Sequence, residues 1–190
     1  MIAVILAVAL GSATVAQHDS RCNAVNINTI QDDLQNFAQH PASGAQRTQR
    51  GADIVQAQSD IEEESVVLQG ICPQDDFLPL SARLYALDAW ADLLELRNGA
   101  MGGAASCPDA NKKVIAATAA SAWLRLGRAS LVSGKPPALV ATLVPQVQAL
   151  AVQAGMALPA FADATSYWEQ QYVTAAKQAI VDCASQTPHP

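Results

Sequence analysis

Residues 77–97 read FLPLSARLYALDAWADLLELR, and their spacing decides the fold. Phe77, Leu80, Leu84, Leu87, Ala91 and Leu94 follow one another at steps of three and four. That spacing lays one continuous apolar stripe along an α-helix, which Tyr85, Trp90 and Leu93 widen. At about 1.5 Å rise per residue the segment is a rod of roughly 30 Å. Such a stripe needs apolar partners on more than one side, and the rest of the chain supplies helices of matching pattern. Asp75 and Asp76 precede the rod at the positive end of its dipole. Pro79 is expected in the first turn, and Asn98-Gly99 ends the helix.

Upstream, Ile27, Ile30, Leu34 and Phe37 mark a first helix over about 27–40, closed by Pro41. Residues 41–52 are polar and carry two glycines, so they read as a loop or as the frayed start of the next helix. That second helix is expected from about Asp53 to Gly70, with Ile54, Ile61 and Leu68 inward. Ser59 and Glu62 have capping-box spacing, which allows a break there. Downstream of a glycine-rich linker, GAMGGAAS, Ser106 and Pro108 open a fourth helix that reaches about Val132. Its run AATAASA (residues 116–122) and Gly127 have little side-chain bulk, so a neighbouring helix should lie close. A fifth helix carries Val140, Leu143, Val147 and Leu150, with a kink or break expected at Pro145. The loop Gly155–Ala164 holds Met156, Leu158 and Phe161, and would cap the bundle or offer an apolar lip. Ser166 and Glu169 form a capping box for a last helix that ends near Ala184. No strand-type alternation appears, so the fold class is all-α, an antiparallel bundle of about six helices.

Four cysteines, Cys22, Cys72, Cys107 and Cys183, are widely spaced and form no CxxC or Cys/His cluster. This pattern suits two disulfides in an oxidising compartment better than a zinc site. In a strict up-and-down bundle Cys22 and Cys72 share an end, whereas Cys107 and Cys183 fall at opposite ends. Half-cystine Cα atoms must approach within about 7 Å. Four cysteines allow three connectivities, which the sequence does not decide between, and none cures this mismatch; the pairing expected here, Cys22–Cys72 with Cys107–Cys183, requires at least one helix that does not run the full length, and the Pro145 segment is the expected offender.

The first residues, MIAVILAVALGSATVAQ, read as an export signal, with Thr14 and Ala16 at the −3 and −1 positions of a cleavage site. The apolar run Ile2–Leu10 falls short of the roughly twenty residues that cross a bilayer. No Lys or Arg precedes it, so either the start codon lies upstream or the signal is weak; the competing reading is a buried first helix of the mature fold. Residues 1–16 are thus assigned to the signal peptide and 17–190 to one helical domain, periplasmic or secreted, with no stable membrane insertion after cleavage. The chain holds 190 residues, with 11 Lys+Arg against 17 Asp+Glu and a formal charge of −6. An acidic surface without a basic cluster repels phosphate backbones, which argues against nucleic acid as a partner.

Candidate chemistry is sparse. Glu62, Glu63 and Glu64, with Asp60, form the densest acidic patch, but di-metal bundles need Glu-x-x-His motifs from facing helices and none is present. A solvated helix face or a surface for a cationic partner fits the patch better than a metal site. His18 would complete a copper-binding terminus only if cleavage fell after Val15, and the favoured cut after Ala16 removes that arrangement. No nucleophilic serine has a supporting motif or base, and no phosphate-binding glycine loop occurs. No cofactor is implied. Trp90 and Trp123 sit beside their stripes, as core residues or as anchors for a partner protein. The leading expectation is an exported non-enzymatic protein that acts by binding another protein in the cell envelope or outside, one concrete version being an immunity- or inhibitor-type antagonist of a cationic toxin or hydrolase. Two alternatives stand beside it: a carrier of an apolar small molecule against residues 116–122, and an enzyme whose carboxylates converge from separate helices.

Overall fold

A computed structural model of the protein describes residues 20–99 and 107–186. The expected signal segment, His18, the linker beyond Gly99, Ser106 and the tail from 187 lie outside the described residues. Six helices follow one another: α1 (Val25–Gln39), α2 (Gln46–Ile71), α3 (Gln74–Asn98), α4 (Pro108–Val132), α5 (Ala138–Ala154) and α6 (Ser166–Gln186), with a 3-10 turn at Phe161–Asp163. Among the described residues there is no strand.

The periodic stripes explain the packing. Ile27, Ile30 and Leu34 of α1 meet Ile54, Ile61 and Leu68 of α2 over Leu84, Leu87, Ala91 and Leu94 of α3. The opposite face of α3 carries Ala86, Ala89 and Leu93 against Ala119, Ala122 and Leu126 of α4. Alanine on both surfaces lets these two helices approach closely, and burying it costs no side-chain rotamer entropy. The centre is therefore a pair of helices and not α3 alone. α1 and α2 cover α3; α5 and α6 cover α4, with α5 also reaching α3.

Both expected disulfides form, Cys22–Cys72 with Cα atoms 5.2 Å apart and Cys107–Cys183 with Cα atoms 6.1 Å apart. The device that permits the second differs from the expected one. α5 runs unbroken through Pro145 and ends beside the start of α4, where Gly155 lies against Lys112. The irregular segment 155–165 then travels back along α4. Phe161 reaches Gly127, and Arg128 Nη2 donates to Ser166 Oγ at the start of α6. The ten-odd residues of this return span roughly 30 Å when extended, more than the roughly 24 Å from Lys112 to Arg128 along α4. Consequently α5 and α6 both run antiparallel to α4, and Cys183 arrives at Cys107.

Several local expectations need adjustment. α2 begins at Gln46, so the polar stretch is helix from there on, and no break occurs at Ser59. α3 begins at Gln74, behind Pro73, which places Pro79 in the second turn. Thr165, not Ser166, caps α6: its Oγ1 accepts from the Trp168 N–H at 3.1 Å. Segment 155–165 lies along the flank of α4 and does not cap an end of the bundle. Phe161 packs against Trp123 with centroids 4.3 Å apart, and Gly127 is tight because an added Cβ would meet Phe161 at 3.3 Å.

Candidate functional site

The helix period places residues 54, 57, 61, 64 and 68 on one line of α2, and all five are buried. Four are Ile54, Ala57, Ile61 and Leu68; the fifth is Glu64, only 8% exposed. Its Oε2 accepts a hydrogen bond from Asn26 Nδ2 of α1 at 2.9 Å. Its other oxygen has no protein donor, and no cation pairs with the carboxylate, among the described residues. Among the described residues no buried side-chain oxygen lacks a partner, so this free oxygen opens outward and is available to a donor from outside the chain.

Glu64 lines a groove of about 360 Å³ between α1 and α2. Asp33 enters from α1, and Asp60 and Glu63 from α2; no Lys or Arg lines it. Asp60 Oδ1 is steadied by Gln56 Nε2 at 2.8 Å. Ile30 and Val67 supply the apolar part of the wall, and Val67 and Val66 are 45% and 71% exposed beside it. Four carboxylates in one concavity raise the local negative potential well above that of scattered surface charge. The arrangement fits an ammonium or guanidinium group carried on an apolar stem.

The expected acidic triplet is thus divided. Glu63 and Glu64 belong to the groove, while Glu62 lies on the other flank of α2, where its charge acts on Asp88 of α3. Trp123 is buried and its Nε1 donates to Pro159 O at 2.9 Å. Trp90 is half-buried between the two halves of the core. Neither tryptophan lines the groove.

A second charged cluster was not singled out from the sequence. Arg125 of α4 binds Asp88 through Nε and Asp92 through Nη1, the latter at 2.8 Å, and Glu169 of α6 lies 3.8 Å from Nη1. Gln58 of α2 donates to the remaining oxygen of Asp92 at 3.2 Å. Carboxylates from two helices do converge here, as the enzyme alternative requires. They converge on a guanidinium, however, and both Asp92 oxygens already accept from protein donors. One cation faces three carboxylates. Burial, opposed by Arg125, pushes Asp92 up to about 8, and burial likewise raises Asp88. The cluster joins α2, α3, α4 and α6 across the middle of the bundle.

The alanine-rich face proposed for an apolar cargo is filled. Ala119 and Ala122 press on α3, Ala117 on Ala176 and Ala179 of α6, and Ala116 on Ala154 of α5. Among the described residues no group of three or more His, Cys, Asp or Glu could hold a metal ion. No described helix is long and apolar enough to cross a membrane. Comparison of the chain with protein-family models, with curated proteins and with solved structures finds no match in any of the three.

Proposed function

We propose that this chain is an exported, disulfide-stapled helical protein that acts by binding another protein and carries out no chemistry of its own. The partner presents a Lys- or Arg-bearing segment to the α1–α2 groove. One concrete form of the role is an antagonist in the cell envelope or outside it, which occupies the cationic surface of a toxin or hydrolase. The observation that carries the reading is Glu64, an acid without a cation on the buried stripe of α2, at the floor of a groove with three more carboxylates. Two disulfides support an oxidising compartment. The overall charge of −6 would speed encounter with a cationic partner.

The test is affinity capture from envelope and extracellular extracts, with the native protein and a D33N/D60N/E63Q variant side by side. The three substitutions sit on solvent-exposed residues, so the fold should survive them. A basic protein retained at low salt by the native chain, released by high salt and not retained by the variant is the expected result. Recovery of nothing at low salt, or equal recovery by the variant, would overturn the proposal.

A further inference from the structure

The strongest feature outside the acidic groove is its electrostatic opposite. A cleft of about 420 Å³ opens between α1, the first half of α3 and the turn joining α4 to α5. Buried Leu87 and Ala86 line it, flanked by Pro79 and the Pro136–Pro137 pair. Two cations, Arg83 and Lys135, line it as well, and no Asp or Glu does. In a chain with 11 basic residues against 17 acidic ones, that local balance runs against the composition.

Arg83 and Arg125 show the difference between a charge that is used and one that is available. Arg125 is neutralised by the carboxylates around it. Arg83 has no acidic partner among the described residues. Its Nη2 donates only to two neutral amide oxygens of α1, Asn28 Oδ1 at 2.7 Å and Gln31 Oε1 at 3.2 Å. These contacts fix the guanidinium without discharging it, and leave Nε and Nη1 free to donate. Lys135 follows Gly134, whose left-handed backbone (φ 65°) makes the turn, and Ser133 Oγ donates to the Lys135 carbonyl at 2.8 Å. The prolines after it restrict the backbone further. The cleft is therefore largely built before any ligand arrives, which lowers the cost of binding.

We infer that this cleft binds a small amphiphilic carboxylate, its head between Arg83 and Lys135 and its apolar body against Leu87 and the prolines. A carboxylate can accept a charge-assisted hydrogen bond from a free Arg83 N–H with one oxygen and from the Lys135 ammonium with the other. The volume lies in the range of small-molecule sites, and at roughly 30 Å³ per heavy atom it admits about ten to fifteen of them. The site is separate from the α1–α2 groove and does not depend on it.

Calorimetric titration of the purified oxidised protein with sodium octanoate tests the inference, with octanol, hexyl phosphate and octyltrimethylammonium as comparison probes. Octanoate should bind saturably at one site per chain, at least about tenfold more tightly than octanol, with no binding of the ammonium probe. Lys135 and Ala138 are exposed, so K135Q and A138W should fold normally. K135Q should weaken octanoate about three- to tenfold, and A138W, which plugs the cleft, should abolish binding. Four results would overturn the inference: no saturation by octanoate up to about 5 mM, octanol binding as tightly, hexyl phosphate binding where octanoate does not, or unchanged affinity in both variants.

Discussion

Glu64 occupies a place on α2 where the helix period calls for an aliphatic side chain. Its one protein partner, Asn26, is an amide on the exposed side of α1. Replacing it by leucine would remove a carboxylate from the buried line of α2 and extend the Ile61–Leu68 stripe. Glu64→Leu should therefore raise the melting temperature by about 3–6 °C while weakening capture of a basic partner. A lower melting temperature by calorimetry would show that the carboxylate stabilises the fold. Asp92 gives a second residue-scale expectation. Its folded pKa of about 8 stands above its ordinary 3.8, so the folded state holds a proton that the unfolded chain releases. The stability it contributes is complete below about pH 4 and is lost as pH rises from there to about 8. The melting temperature should fall between about pH 4 and pH 8, and Asp92→Asn, which stays neutral and keeps a hydrogen-bonding oxygen, should remove about half or more of that fall. An identical pH profile in the variant would place the titration elsewhere. Both features left traces in the sequence. Glu64 lies three residues from Ile61 and four from Leu68, and Asp88, Asp92 and Arg125 are charges inside the two central helices. The traces could not be joined, because which helix faces which is settled only by packing.

At the scale of elements, α6 is the helix whose backbone rests on a single neighbour, α4, among the described residues. Its attachments are the Ala176 and Ala179 contacts, the Glu169–Arg125 pair and the Cys107–Cys183 bond at its far end. In a C107S/C183S variant α6 should loosen before the rest. Tryptic cleavage after Lys177 should become the earliest cut, with a loss of stability of about 2–4 kcal/mol. Equal protection of α6 in both forms, by hydrogen exchange, would contradict this. The helices themselves were legible because apolar steps of three and four leave little choice of element. α4 matches its expected range, and α1, α3 and α6 shift only slightly at their ends. The start of α2 was not legible, because residues 46–52 are polar and only Gly51 there is buried. The return path of segment 155–165 was hidden for a related reason. It depends on Phe161 meeting Gly127 and on Trp123 donating to the Pro159 carbonyl, contacts between residues far apart in the chain. A kink at Pro145 was the only cure for the misplaced cysteine that local rules could offer.

Taken whole, the molecule is two three-helix groups set against each other along α3 and α4, each closed by its own disulfide. Cys22–Cys72 spans 50 residues and Cys107–Cys183 spans 76. By the loop-entropy relation each cross-link disfavours the unfolded chain by about 4 kcal/mol, comparable to the whole stability of many domains. The architecture is therefore suited to a place where thiols stay oxidised, and the acidic groove and the cationic cleft are both presented on that stapled frame. Composition and cysteine spacing carried this much at the outset. They could not reveal the separation of charge into one acidic and one basic concavity, because Asp33 is distant in the chain from Asp60 and Glu64, as Arg83 is from Lys135. The most direct measurement is peptide mapping by mass spectrometry of the native protein, alkylated before lysis and recovered from each cell fraction. The mature chain should appear in the periplasmic or extracellular fraction, with no alkylated cysteine and with cross-linked peptides joining Cys22 to Cys72 and Cys107 to Cys183. Alkylated thiols in the native protein, or recovery with the cytoplasm, would contradict this.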